Sequence, residues 1–232
     1  MRPLAVRRPE VPAGIVAIPV RTRLVRDGDD LVGIVADAVR GIARPGDVIA
    51  ISETAVAIAQ GEFVVAEMIR PSKLAYVLSR HAGAMATVSQ PESLQLVIDA
   101  VGAPKVMYAA VLQVLGRLVG RRGMFYEVMG EAITAIDGYT GTLPPFERAI
   151  VLAPREPDAF AQSVYERTGA GCVVVDANDL QKAKVLGASV DVNRANVESA
   201  LLDNPHGNGD EQTPIVVLKW RNDGENPLWG SR

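Results

Sequence analysis

The sequence predicts an α+β fold of mixed β-sheets with packed helices, and three observations carry that expectation. Apolar runs of strand length mix with segments of helical period, without the strict strand–helix–strand order of a parallel doubly wound sheet. No G-x-G-x-x-G follows a strand and no Walker A loop is present, so two glycine-rich phosphate signatures of α/β folds are missing. The 232 residues, 48% hydrophobic and 22% charged, can bury a core without a disulfide or structural metal.

Taken in order, residues 1–12 are rich in proline and arginine, lack periodicity and read as a loose arm. Val16 to Val20 reads as a strand. Asp27-Gly28-Asp29-Asp30 has the carboxylates of a helix N-terminus, and Leu31, Ile34, Val35, Ala38, Val39 and Ile42 follow as one apolar stripe. Pro45-Gly46 ends it, and Val48 to Ile51 is a buried strand. A helix starts near Pro71-Ser72-Lys73. Ser89-Gln90-Pro91-Glu92 has capping-box spacing ahead of Leu94, Val97, Ile98 and Val101. A further helix spans Lys105 to Val119. Phe125 to Met129 and Ala132 to Ile136 suggest a hairpin turning at Gly130-Glu131.

The second half reads as a strand at Ile150 to Leu152, a helix at Asp158 to Arg167 and a strand at Cys172 to Val175. A short helix at Asn193 to Leu202 and a polar loop at Asn204 to Thr213 lead into a last strand, Ile215 to Leu218. From residue 222 the chain is polar and aperiodic, and residues 222–232 read as a mobile tail. Residues 13–221 form one domain, with two intertwined subdomains as the alternative division.

A net charge of −3 argues against a nucleic-acid partner. The longest apolar stretch, Val106 to Val119, is interrupted by Gln113 and Arg117 and is too short to span a membrane. The N-terminus shows no signal-peptide core, and the lone Cys172 sits in an apolar run as a structural thiol; both lead us to expect a cytoplasmic protein.

Three polar segments adjoin apolar strands: Ala135-Ile136-Asp137-Gly138, Val175-Asp176-Ala177-Asn178-Asp179, and the loop from Asn204 to Pro214. Carboxylates and amides at strand ends are the oxygen donors that Mg2+ or Mn2+ prefers. Glycines in the third segment allow backbone amides to approach a phosphate. Asp137-Gly138 is equally a common turn pair, and Asp176 could cap the next segment. His206 lies in the loop and could touch an anion. Arg117, Arg121 and Arg122 form either a solvated basic patch or a phosphate contact.

The runs Ile18-Pro19, Gly28-Asp29-Asp30-Leu31, Gly46 to Ser52, Gly61 and Pro71-Ser72 resemble the start of the coenzyme F420-0:L-glutamate ligases. The resemblance continues through Ala135-Ile136-Asp137, Pro154 to Asp158, Val173 to Asp176 and Gly207 to Val217. It implies an intertwined α+β homodimer that joins L-glutamate to the carboxylate of a deazaflavin coenzyme, using GTP and Mn2+ or Mg2+. Residue by residue, it implies metal ligation by Asp137 and Asp176. It implies nucleotide contacts at Arg21, Thr22, Arg23 and Leu24, and at Gly207, Asn208, Gly209, Asp210, Glu211 and Gln212. The chain also departs from the family. Ile58 stands where the family has a lysine, Ala177 replaces a metal threonine, Asp179-Leu180 replaces Gly-Arg, and the segment from Asp179 to Asn204 is shorter. The rival expectation is a non-catalytic descendant that binds a nucleotide or deazaflavin.

Overall fold

The computed structural model describes residues 14–82, 87–121, 123–130, 133, 136–137, 143–178, 181–207 and 210–230. The chain divides into two compact units: residues 1–61 with 154–232, and residues 62–153. Both are α+β, in agreement with the expected class.

The first unit is built on a five-stranded mixed sheet in the order β1-β8-β2-β6-β7. Its strands are β1 (Ile15–Val20), β2 (Val48–Ser52), β6 (Gly171–Asn178), β7 (Lys182–Ala188) and β8 (Ile215–Trp220). β2 pairs parallel with β6, and every other pairing is antiparallel. The central strands are continuous apolar runs because both of their faces are covered: Val48 to Ile51, Cys172 to Val174 and Ile215 to Leu218 are fully buried. Pro19, which has no N–H to donate, is tolerated because β1 is an edge strand.

One face of the sheet presents Val48, Ala50, Val173, Val175, Val216 and Leu218 to Val197 of α8 (Arg194–Ala200), to Leu201 and to Leu228. By alternation, Ile49, Ile51, Cys172, Val174, Ile215 and Val217 point to the other face. α7 (Pro157–Thr168) packs on β6 and β7, and α1 (Leu31–Ala38) packs on α7. Gly187 is required by this packing, since a Cβ there would lie 2.2 Å from the carbonyl carbon of Pro157. Asp30 caps α1 by accepting from the amide of Gly33 at 3.0 Å. α2 (Glu53–Ala59) follows β2 directly and buries Ala55, Val56, Ala57 and Ile58.

The second unit carries an antiparallel sheet in the order β3-β5-β4, formed by β3 (Phe63–Val65), β4 (Ile136–Asp137) and β5 (Ala149–Leu152). Its helices are α3 (Lys73–Ser79), α4 (Pro91–Val101), α5 (Ala103–Leu118) and α6 (Met124–Met129). Leu94, Val97, Val106, Ala109, Phe125, Met129 and Ile150 share one core. α4 and α5 meet at a bend of 116°, and no single helix among the described residues is long and apolar enough to cross a membrane.

Several sequence expectations need correction. Phe125 to Met129 is helix α6, not one arm of a hairpin; Gly123, in the left-handed conformation, starts it. Residues 132, 134 and 135 lie outside the described residues. The N-cap of α4 is Gln90 with no side-chain cap bond, so Ser89 does not close the expected capping box. The strand at 150–152 belongs to the second unit, so it and β6 do not form one sheet around α7. The polar tail from residue 222 is packed. Leu228 is fully buried, Trp229 and Asn226 both donate side-chain hydrogen bonds to the carbonyl of Gly46 at 2.8 Å, and Asn193 N–H donates to the carbonyl of Leu228 at 2.9 Å. One apolar side chain and two donors outweigh the polarity of their neighbours. The arm at 1–12 lies outside the described residues.

Leu228→Ala should therefore cost about 2–5 kcal/mol, the usual range for truncating a buried leucine. Urea unfolding of the two proteins measures this, and a change within error would restore the mobile tail.

Candidate functional site

Strand directions gather the candidate residues of the first unit at one end of its sheet. Val20, the last residue of β1, pairs with Ile215, the first of β8. Ile51 also pairs with Ile215, and Ser52 pairs with Val175. The exits of β1, β2 and β6 therefore share an end with the entry of β8. β7 enters there too, with Lys184 opposite Asp176 and Lys182 opposite Asn178.

Two segments far apart in sequence are joined at this end. Thr22 N–H donates to the carbonyl of Gln212 at 3.0 Å, and Ser52 N–H donates to that of Pro214 at 2.9 Å. The sequence-predicted nucleotide segments, residues 21–24 and 207–212, are thus neighbours. Gly207 has φ +73, the left-handed region that L side chains rarely adopt, so a glycine suits this position. Gln212 has φ +55, a conformation that L-residues other than Asn and Asp seldom adopt and that costs on the order of 1–3 kcal/mol. Asp210 and Glu211 are exposed, whereas Asn208 and Gly209 lie outside the described residues.

Arg23 is already engaged. Its guanidinium makes a bidentate pair with Asp29 at 2.7 and 2.8 Å, and Asp29 also accepts from the amide of Arg26 at 2.7 Å. The Arg23 hydrogen bond, then that of Arg26, holds Asp29 below the usual carboxylate range. The same bond to Asp29 raises Arg23. Arg23 thus braces the loop that leads to α1. Arg21 is exposed, and Leu24 is half-buried.

His206 closes the neck of the 207–212 loop. Its Nδ1–H donates to the carbonyl of Thr213 at 3.2 Å, and the Thr213 hydroxyl donates back to the carbonyl of His206 at 2.5 Å. Nε2 is buried and has no hydrogen-bond partner among the described residues. Burial lowers the imidazole to about 4, against a smaller raising effect of the Thr213 bond. The ring is buried and neutral at pH 7 with its Nδ1–H given to Thr213, so it offers no charge to the anion contact that the sequence allowed. Cys172 is fully buried and its thiol is pushed up by burial, which agrees with a structural role.

Asp176 stands on the exposed continuation of β6. Although the residue is exposed by area, the surrounding chain partly desolvates its carboxyl and raises it above the ordinary carboxylate range, while Lys184 and then Lys182 pull it down. Rather than capping a following segment, as one sequence reading had it, Asp176 lies in the β6–β7 ladder. Asp137 is the last residue of β4 in the other unit, and its side chain lies outside the description. Among the described residues, no three His, Cys, Asp or Glu side chains form a metal-sized group. Asp176 therefore offers one carboxylate with two lysines as its charged neighbours, and the side chain expected to share an ion with it, that of Asp137, is not among those described. None of the predicted residues lines the open groove of about 720 Å3 beside Gln60, Arg155 and Phe160.

The sequence reading missed Lys182 and Lys184. Their alternation with Ala183 and Val185 was the available signal for an edge strand.

Comparison with known families supplies the remaining observation. The family model described as F420-0:Gamma-glutamyl ligase matches residues 19–177, from the end of β1 to just past Asp176. No curated protein matches the chain.

The buried imidazole makes stability depend on pH. In the unfolded chain His206 takes up a proton near pH 6.5, but in the folded protein only near pH 4. Its contribution is complete above pH 6.5 and is lost progressively as pH falls from 6.5 to about 4, by about 3 kcal/mol at most. The stability difference between pH 7.5 and 4.5 should shrink in His206→Gln, as measured by urea unfolding at both pH values. An unchanged difference would show that His206 is not buried neutral.

Proposed function

We infer, because the chain belongs to the F420-0:gamma-glutamyl ligase family, that it is an acid–amino-acid ligase joining L-glutamate to a carboxylate acceptor such as the deazaflavin coenzyme F420-0. The observation that carries this reading is the family match, which runs from the exit of β1 to Asp176. In this reading, the carboxylate acceptor attacks the γ-phosphorus of GTP or a related triphosphate, giving an acyl phosphate and the diphosphate. The glutamate amine then attacks the acyl carbon, loses a proton and expels phosphate. Catalysis of this kind rests on positioning and on stabilising charge at the transferred phosphoryl group.

The nucleotide lies against residues 21–24 and the 207–212 loop, which Thr22 and Gln212 tie together. Its Mg2+ or Mn2+ enters as part of the nucleotide complex, and no step is assigned to an ion held by Asp137 and Asp176. The second reading is binding of nucleotide or deazaflavin without turnover. It is favoured by Ile58, which is buried in α2 and brings no charge to the position where the family has lysine.

We also propose that a second copy of the chain covers α5. Met107, Tyr108, Val111, Val114, Leu115 and Leu118 recur at helical spacing, and each is at least half exposed. Together with Val119 they expose on the order of 800 Å2, the share each partner contributes to a standard interface and more than a typical monomer leaves open. The stripe contains no charged residue to keep it in water.

Two measurements test these readings. GTP with Mn2+ at 100 times its dissociation constant should stabilise the fold by ~2.7 kcal/mol, and phosphate release should require both glutamate and the deazaflavin acceptor. Stabilisation without glutamate-dependent release would leave the binding-only reading. For the dimer, Leu115→Glu should weaken self-association at least ~30-fold in sedimentation equilibrium while leaving circular dichroism unchanged. A wild-type monomer across micromolar concentrations would overturn the α5 assignment.

A further inference from the structure

We propose that Lys184 and Lys182, at the entry of β7, supply the positive charge that receives the phosphate chain of the nucleotide. The inference deepens the ligase reading and rests on it. Phosphoryl transfer needs cationic groups beside the phosphates, and in this chain the family's lysine position is taken by Ile58, which is buried in α2. The sheet end provides cations from a different strand.

Lys184 is directly opposite Asp176, and Lys182 is directly opposite Asn178. Opposed residues of an antiparallel pair share a face, as do residues two apart on a strand. Asp176, Asn178, Lys182 and Lys184 therefore form one patch on one face of the β6–β7 ladder. Both lysines are exposed, and neither forms an ion pair among the described residues.

β7 lies three strand spacings from β8, or roughly 14 Å, and both strands begin at the same end of the sheet. A nucleoside triphosphate is long enough to reach from the tied segments at Thr22 and Gln212 to this patch. Lysine is suited to the task as a mobile point charge that accepts phosphate without a fixed fork geometry. Asp176 then sits beside the phosphates as a like charge kept in check by the two lysines, not as the main ligand of an ion.

The experiment uses the full chain with tripolyphosphate in EDTA, and with GTP plus Mg2+, read as melting shifts across ligand concentration. Wild type should bind tripolyphosphate without metal. Lys184→Ala and Lys182→Ala should each weaken both ligands about tenfold, Lys184→Arg should keep most of the affinity, and Asp176→Asn should leave it unchanged or tighter. Retained affinity in the Lys182→Ala/Lys184→Ala double variant would overturn the assignment. So would loss of GTP binding in Asp176→Asn, which would return that residue to a metal. A purely structural cross-strand role for Lys184 would lower the ligand-free melting temperature and leave the ligand shifts intact. If wild type shows no shift with GTP and Mg2+, the nucleotide reading itself falls. If wild type shifts and the double variant shifts equally, only the lysine assignment falls.

Discussion

The parallel pairing of β2 with β6, inside a sheet whose other pairings are antiparallel, is the contact from which the geometry of the first unit follows. It joins two strands separated in sequence by the whole second unit, residues 62–153. Such a pairing requires a long loop to close before any contact rewards it. Burial compensates for that entropy, because the paired residues Val48 to Ile51 and Gly171 to Val174 are shielded on both faces. Parallel alignment also has a consequence for chemistry. It brings the exits of β2 and β6 to the same end, and β8, antiparallel to β2, delivers the 207–212 loop there. Had β6 run the other way, Asp176 and the loop would sit at opposite ends of the sheet.

Elements were legible in the sequence where burial dominates local preference. β2, β6 and β8 each hold an uninterrupted apolar run, at Val48 to Ile51, Cys172 to Val175 and Ile215 to Leu218, and the apolar stripe of α4 has an unambiguous helical period. The missed elements are those whose side chains say little by themselves. β7 alternates lysine with alanine and valine, so its exposed face hides an edge strand. The seven residues of α2 are mostly small and apolar, with no clear stripe. Phe125 to Met129 has residues that favour strands, yet it packs as a helix beside α5 in the core around Val106 and Ala109. Tertiary packing decided each of these.

At the candidate site, the sequence singled out segments but not the partners that their side chains find on folding. It placed Arg23 near a nucleotide, and the fold commits its guanidinium to Asp29. It offered His206 as an anion contact, and burial leaves it neutral and bonded to Thr213. In both cases the outcome depends on a partner chosen by folding, which spacing along the chain does not encode. The adjacency of residues 21–24 and 207–212 likewise depends on β1 lying next to β8, the strands from opposite ends of the chain.

Ile58 occupies a position that the fold keeps away from water. Its side chain is 5% exposed, in a helix whose residues 55 to 58 are all buried. An ammonium buried there would lose hydration and be driven towards its neutral form unless it reached water or a counter-charge. The isoleucine at 58 serves the apolar packing of α2. On β7, by contrast, Lys182 and Lys184 are exposed, so their charge costs the fold almost nothing. Positive charge on the strand opposite Asp176 is compatible with both the buried α2 and the ligase family to which the chain belongs.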